Sequence, residues 1–349
     1  MYDLNEKAIL VTGGTGSFGS RFVELVLKEL NPRKLIIYSR DELKQFQMQQ
    51  VIDDPRVTFV IGDVRDKDRL RSTMAGVDVV VHAAALKQVP TAERHPTEAI
   101  KTNILGASSV IESAIANGVE RVVALSTDKA ANPVNMYGAT KMVADKLFIA
   151  ANADQSVTRF ALVRYGNVVG SRGSVVPLFL EQKRTGVLSI TDPRMTRFWI
   201  TLEQGVRFVL RSLRLMHGGE VFVPKLPTAA IMDLAAAIAP DCRIEHIGIR
   251  PGEKLHEVLV PADEAYRTLE LDDSFVITPE PPGSDAGPWA HGKPVPDGFR
   301  YASDTNPWRL TVDEIRAMLK ELGYDLTDSV QQTDGRAGRS TGRRGGPRQ

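Results

Sequence analysis

The chain reads as an α/β protein: a doubly wound parallel sheet with a smaller, interleaved C-terminal region. Three observations predict this. Short, nearly uninterrupted apolar runs recur through the first half, each is followed by a helical pattern, and a glycine-rich run separates the first strand from the first helix. Near-continuous apolar strands imply burial on both faces, which helices on both sides of a parallel sheet provide. Ligands of such sheets bind beyond the carboxyl ends of the strands.

The elements follow in order. Ala8 to Val11 is the first strand and meets Thr12-Gly13-Gly14, and a helix runs from Phe18 to about Leu30. Lys34 to Tyr38 is the second strand, and Asp41 to Gln50 reads as helix. Val57 to Ile61 ends at Gly62-Asp63, and Val77 to Val81 ends at His82-Ala83-Ala84-Ala85. The fifth strand, Val122 to Leu125, ends at Ser126-Thr127. A helix from about Met136 to Ala151 then precedes a sixth strand, Thr158 to Val163. After Gly170, Pro177, Pro193, Pro224, Pro227 and Pro251 punctuate shorter segments. The expected division is therefore 1–170 for the sheet domain and 171–327 for a smaller substrate-capping region interleaved with it. The stretch 328–349 is polar, Gly-rich and dotted with Arg336, Arg339, Arg343, Arg344 and Arg348, and is expected to be a disordered tail.

Composition narrows the function classes. Of 349 residues, 42% are apolar and 25% charged, which suits a globular domain with a sizeable core. The net charge of +1 gives no electrostatic case for nucleic acid or a membrane surface. No apolar run approaches the ~18 residues of a membrane span, and the N-terminus lacks the charged and apolar regions of a signal peptide. Cys242, the sole cysteine, excludes an intrachain disulfide and reads as a small buried hydrophobe. These features lead to the expectation of a cytoplasmic protein. His82, His95, His217, His246, His256 and His291 show no metal-ligand spacing, so no metal is expected.

The run Gly13-Gly14-Thr15-Gly16-Ser17-Phe18-Gly19 places glycines at 13, 16 and 19 between strand and helix. Gly13 suits a tight turn, Gly16 lets backbone approach a pyrophosphate, and Gly19 lets helix and strand pack closely. The helix start supplies free N–H groups and a positive dipole end for phosphates. This is a dinucleotide fingerprint in its proper strand-turn-helix context. The second strand ends in Tyr38-Ser39-Arg40-Asp41, where a cofactor lacking the 2′-phosphate is usually met by an acid. Ser39 and Arg40 can instead bond and neutralise a 2′-phosphate, which favours NADP over NAD. Asp41 is placed to start the next helix. Asp63 is placed for the adenine amino group, and Ala83, Ala84 and Ala85 let backbone lie close to the cofactor. Thr15, Ser17, Phe18, Lys44 and Val64 complete the candidate cofactor set.

Tyr137-Gly138-Ala139-Thr140-Lys141 is Y-x-x-x-K on a predicted helix, so Tyr137 and Lys141 share a face. Lys141 can bond a nicotinamide ribose and lower the Tyr137 pKa, and the tyrosine can then take a hydroxyl proton as hydride leaves the carbon. Ten residues upstream, Thr127 at the mouth of the fifth strand offers an alcohol to the reacting oxygen.

With these residues the chain resembles the extended short-chain dehydrogenase/reductases, whose dinucleotide domain is a Rossmann fold. Within them it resembles the inverting UDP-N-acetylglucosamine 4,6-dehydratases (5-epimerising) of flagellin-glycan and capsule pathways. Thr12 to Gly19, Tyr38 to Gln45, Ala83 to Lys87, Ser126 to Ala130, Asn132-Pro133 and Tyr137 to Lys141 carry the likeness. So do Arg164 to Val168, Met195 to Phe198 and Arg250 to Lys254. It spans roughly residues 5 to 260, loosens towards Tyr324, and is absent from the tail.

Thr127-Asp128-Lys129 is the informative detail. Related hexose 4,6-dehydratases carry Thr-Asp-Glu there, and simple 4-epimerases lack the acid–base pair. The resemblance implies Asp128 as the acid for the C6 hydroxyl and Lys129 as the base for C5, with a lowered Lys129 pKa if it is buried. Tyr137 favours the inverting over the retaining branch. Lys87, past the fourth strand, could reach the sugar or a phosphate, and Asn167 resembles the family asparagine at the diphosphate. Arg197 and Arg250 are candidates for the phosphates, and Glu253 for the uridine ribose hydroxyls. A UDP-N-acetylhexosamine substrate and a homo-oligomer of two or more copies are further expectations. The rival readings are a retaining dehydratase, a UDP-hexosamine 4-epimerase, and a non-catalytic NADP-binding protein.

Overall fold

A computed structural model describes residues 2–153, 157–170, 174–280, 289 and 291–326. The expected tail, 328–349, lies outside them. Six parallel strands form the core of the main sheet: β1 (Ala8–Thr12), β2 (Lys34–Ser39), β3 (Val57–Ile61), β4 (Val79–His82), β5 (Arg121–Thr127) and β6 (Arg159–Tyr165). Their order is β3-β2-β1-β4-β5-β6, so the chain reverses direction across the sheet between β1 and β4. That switch point opens a crevice at the carboxyl ends of the strands, where ligands of such sheets bind. β1 and β4 are buried along their whole length, as an apolar strand covered by helices on both faces must be.

Beyond β6 the sheet continues with Val221–Pro224, parallel to β6, and then Ser274–Ile277, Thr268–Glu270 and Lys293–Pro294, each antiparallel to its neighbour. Residues of the C-terminal half thus complete the main sheet. Others make separate small sheets: Thr228–Ala230 with Thr196–Ile200 and Asn167–Val168, and Val258–Val260 with Tyr301–Ala302. A second apolar core, with Phe179, Leu188, Trp199, Leu234, Ile238, Ile315 and Leu319, lies apart from the one under the main sheet.

Local chemistry sets the ends of the helices. Asp41 accepts from the Lys44 N–H at the start of Glu42–Gln49, and Asn135 from the Gly138 N–H at the start of Met136–Ala150. Thr201 with Gln204, and Thr311 with Glu314, form capping boxes. The first helix, α1 (Ser17–Glu29), has no side-chain cap, and its leading N–H groups are left for another acceptor.

Two differences from the sequence reading stand out. The fifth strand is longer than expected because it pairs with β6 as far as Thr127↔Tyr165. The helices Lys67–Thr73 and Gly106–Ala116 do not appear in the sequence reading. The first is short and charged, with only Leu70 buried, so no apolar stripe announces it.

Candidate active site

A cleft of about 500 Å³ lies at the carboxyl ends of the strands. One end is made largely of backbone. Gly13 has φ +67°, and a Cβ there would stand 2.9 Å from both N and Cα of Ala84, so the turn and the β4 end pack as only glycine allows. Gly13, Thr15, Gly16, Ser17, Phe18 and Gly19 all border the cleft, as do Ala83, Ala84, Ala85 and Val64. With the uncapped start of α1 they form a cradle that fits a pyrophosphate.

At the end of β2, Ser39, Arg40 and Lys44 border the same end. The Ser39 hydroxyl accepts from Thr15 Oγ1 and Gln45 Nε2, both at 3.1 Å. The Arg40 side chain is largely exposed, with Nη1 3.5 Å from Asp63 Oδ2. Gly62 and Val64 border the cleft, whereas Asp63 does not. Its carboxylate is gripped by Arg65 at 2.7 Å, and burial, which would raise its pKa, is outweighed by the Arg65 hydrogen bonds that lower it.

The other end is built from side chains at the β5 end and on Met136–Ala150. Thr127, Lys129, Tyr137 and Lys141 border the cleft together. The Thr127 hydroxyl donates to Asp128 Oδ1 at 2.9 Å, and Lys129 Nζ donates to the same oxygen at 3.0 Å. Asp128 is fully buried behind this wall, and its Oδ2 has no hydrogen-bond partner. Gly138 seats the helix on this turn: a Cβ there would lie 2.2 Å from the Lys129 carbonyl oxygen.

Electrostatics here differ from the sequence expectation. Burial alone would lower the Lys129 pKa, but the carboxylates of Asp128 and Glu257 outweigh it and hold the ammonium charged. Tyr137 is pushed up to about 12 by burial, against the opposing charge of Lys129 and a hydrogen bond with Thr127. The expected depression by Lys141 is therefore not what sets this phenol. Burial lowers Lys141 itself, with Asp145 opposing.

Of the expected grip residues, Lys87 and Asn167 border the cleft. Arg197, Arg250 and Glu253 do not. Arg197 donates to the carbonyls of Thr196, Lys254 and Leu255 at 2.8 to 2.9 Å, which pins the 250s loop to the Thr196–Ile200 strand. Arg250 and Glu253 face each other, 3.9 Å apart, on the same loop.

Sequence reasoning gave no role to the residues that brace the site. Lys254 Nζ donates to the Ala131 carbonyl at 2.6 Å, and Asn135 Nδ2 to the Gly252 carbonyl at 2.7 Å. Glu257 is buried with one oxygen 3.4 Å from Lys129 Nζ. Asn103, in a π-helical turn spanning Lys101–Leu105, exchanges hydrogen bonds with the Leu86 backbone and donates to Thr140 Oγ1 at 3.0 Å. No sequence signal marks Asn103; the π-turn that presents it, of a kind that gathers at functional sites, emerges only in the fold.

Comparison with known proteins bears on the site. The polysaccharide biosynthesis protein family matches residues 9–279. A Campylobacter jejuni protein named UDP-N-acetylglucosamine 4,6-dehydratase (inverting) is 54% identical over 314 residues, 87% of this chain and 94% of that protein. A Rickettsia bellii protein named UDP-glucose 4-epimerase is 42% identical, over 91% of this chain and 97% of that one. Among solved structures, the X-ray structure of Pen from Bacillus thuringiensis superposes with a TM-score of 0.86 at 37% identity. It covers 92% of this chain and 99% of that one.

Proposed function

From the premise that this chain belongs to the polysaccharide biosynthesis protein family, we propose that it is an NADP-dependent, inverting UDP-N-acetylglucosamine 4,6-dehydratase. Its product is UDP-2-acetamido-2,6-dideoxy-β-L-arabino-hexos-4-ulose, a precursor for surface glycans. The carrying observation is the Asp128–Lys129 pair, joined at 3.0 Å behind Thr127 and beside Tyr137. A relative named as this dehydratase is 54% identical, which supports the same substrate here.

Bound NADP⁺ would supply a hydride acceptor that takes the C4 hydride and returns it at C6. Gly13, Gly16 and the α1 start would hold its pyrophosphate. Ser39 and Arg40, with Lys44 near, would hold the 2′-phosphate, Asp41 being engaged as a helix cap. Thr127 bonds the C4 oxygen, and Tyr137 takes its proton as a phenolate, the form that the Lys129 charge and the Thr127 hydrogen bond favour against burial, with Lys141 alongside. Oxidation at C4 acidifies the C5 proton, which Lys129 removes once its own proton has crossed the 3.0 Å hydrogen bond to Asp128. Asp128 protonates the C6 hydroxyl, which leaves as water. Reprotonation of C5 by a solvent-derived proton on the opposite face gives inversion. Lys87 and Asn167, on the cleft wall, serve the sugar diphosphate. Arg197 serves it by fixing the loop that carries Arg250 and Glu253. A 4-epimerase has no use for the Asp128–Lys129 pair, because it eliminates nothing across C5 and C6.

The wider setting belongs to the same proposal. Residues 1–170 bind the cofactor and also carry the acid–base groups and the cleft-wall residues Lys87 and Asn167, and the interleaved 171–327 mainly completes the substrate side. The protein works in the cytoplasm; no described helix is long and apolar enough to cross a membrane. It assembles as a homo-oligomer, supported by the exposed apolar side chains Ile100, Leu105, Met142 and Val143.

The test is incubation with UDP-N-acetylglucosamine, read by mass spectrometry and by proton NMR in D2O. Loss of one water, deuterium at C5 and an L-arabino ring are expected. A D-xylo ring would move the enzyme to the retaining branch, and an unchanged mass with a C4 epimer would make it an epimerase.

A further inference from the structure

Lys129 lies between two carboxylates that come from opposite halves of the chain. Asp128 Oδ1 is 3.0 Å from its Nζ on one side, and Glu257 Oε1 is 3.4 Å away on the other. The Glu257 side chain is only 3% exposed. Its Oε1 is also 3.9 Å from Arg197 Nε, and its Oε2 is 3.6 Å from Lys254 Nζ but accepts no hydrogen bond. A buried carboxylate with so loose a set of partners costs stability, since desolvation is only partly offset by attraction at these distances. Holding the fold together does not account for it. Its nearest charge is the amine that borders the cleft.

We propose that Glu257 is a positioning residue for C5 proton abstraction: it fixes Lys129 against Asp128 and stabilises the positive charge that Lys129 gains as it takes the proton. This rests on the dehydratase reading above. In the step, the Lys129 ammonium first passes a proton across its 3.0 Å hydrogen bond to Asp128 Oδ1, which leaves a neutral amine beside a carboxylic acid; the C5–H bond then breaks and an N–H bond forms on that amine. The electron pair becomes the C5–C6 double bond, and the C6–O bond breaks. The departing oxygen takes the Asp128 proton and leaves as water. Lys129 ends as an ammonium, Asp128 as a carboxylate, and Glu257 keeps its charge throughout.

The groups facing Lys129 are Asp128 and Thr127 from the β5 end, Tyr137 from the helix, Arg197 from its strand, and Lys254 and Glu257 from the 250s segment. The two acids strengthen Lys129 as a base, while the two cations weaken it. Neutralising Glu257 removes one acid and leaves Arg197 and Lys254 opposed by Asp128 alone. The amine then loses its proton at lower pH and is a poorer base when free.

The experiment compares wild type, Glu257→Gln and Glu257→Asp with NADP⁺ and UDP-N-acetylglucosamine across pH. Reduced-cofactor absorbance reports C4 oxidation, and mass spectrometry reports water loss. Wild type that oxidises or dehydrates nothing overturns the dehydratase reading itself, whatever the variants do. With an active wild type, Glu257→Gln is expected to oxidise C4 normally, accumulate reduced cofactor and lose water at least about tenfold more slowly. The acid limb of its water-loss profile should move down by about one pH unit. Glu257→Asp keeps the charge and should keep the wild-type limb. Wild-type elimination in Glu257→Gln, equal slowing of both half-reactions, or an unmoved acid limb overturns the proposal. If Glu257→Gln does not fold, Glu257→Asp decides alone: slowed elimination with intact C4 oxidation supports the role, and any other pattern overturns it.

Discussion

The two ends of the cleft are built by different means. The dinucleotide end is a backbone surface: a glycine turn at 13, an alanine strand end at 83–85 and an uncapped helix start. The acid–base end is a set of charges, the buried acids Asp128 and Glu257 and the half-buried Lys129 and Lys254, with Arg197 bracing them. A backbone cradle offers N–H groups whose placement follows from the fold alone. A buried charge cluster depends on every member, because removing one leaves the others uncompensated at low dielectric. Single side-chain changes should therefore be far costlier at the second end than at the first.

The largest expected effect tests that contrast directly. Lys129→Met removes the proposed C5 base and leaves Asp128 and Glu257 facing each other without their shared cation. Turnover of UDP-N-acetylglucosamine should fall by about 10²- to 10⁴-fold, the usual contribution of a general base. Thermal stability should also fall, because two buried acids lose their partner. Cofactor affinity, measured by fluorescence titration, should stay at the wild-type value. Comparable loss of cofactor binding would dissolve the distinction between the two ends.

Gly138→Ala probes position rather than charge. Its new Cβ would lie 2.2 Å from the Lys129 carbonyl oxygen and 3.2 Å from Pro133 Cβ, so the turn carrying Asp128 and Lys129 must shift. All the ionisable groups survive, yet kcat should drop by roughly 10²-fold, as expected for a misplacement near 1 Å. Wild-type kcat in a folded variant would mean that the acid–base end tolerates displacement, and that charge alone governs it.

Legibility in the sequence follows the same divide. The glycine run and the ends of β2 and β4 could be read because their geometry is local. Tyr137 and Lys141 could be read because a helix fixes their common face. Asp128-Lys129 stood beside them, contiguous with Thr127. Glu257 and Lys254 were not legible as partners of that turn, since nothing local links the 250s to residues 128–131. They meet only when the loop is pinned by Arg197 and Asn135. Arg197 reads as a phosphate hand from its residue type, and its attachment to three carbonyls is a tertiary fact. The strand Val221–Pro224 was likewise hidden, because its apolar run gives no sign that it extends the main sheet beside β6.

The smallest expected effect sharpens the comparison from the cofactor side. Arg40 is an exposed side chain at an end made largely of backbone, and its 3.5 Å contact with Asp63 is too solvated to support the fold. Arg40→Ala should therefore leave the melting temperature unchanged. It should weaken NADP⁺ roughly tenfold, the equivalent of about 1.4 kcal/mol, while NAD⁺ affinity stays as it was. Added salt should narrow the wild-type preference for the phosphorylated cofactor, since an exposed guanidinium is readily screened. Equal weakening of both cofactors would instead place Arg40 on the part they share, and the 2′-phosphate would then fall to Ser39 and Lys44.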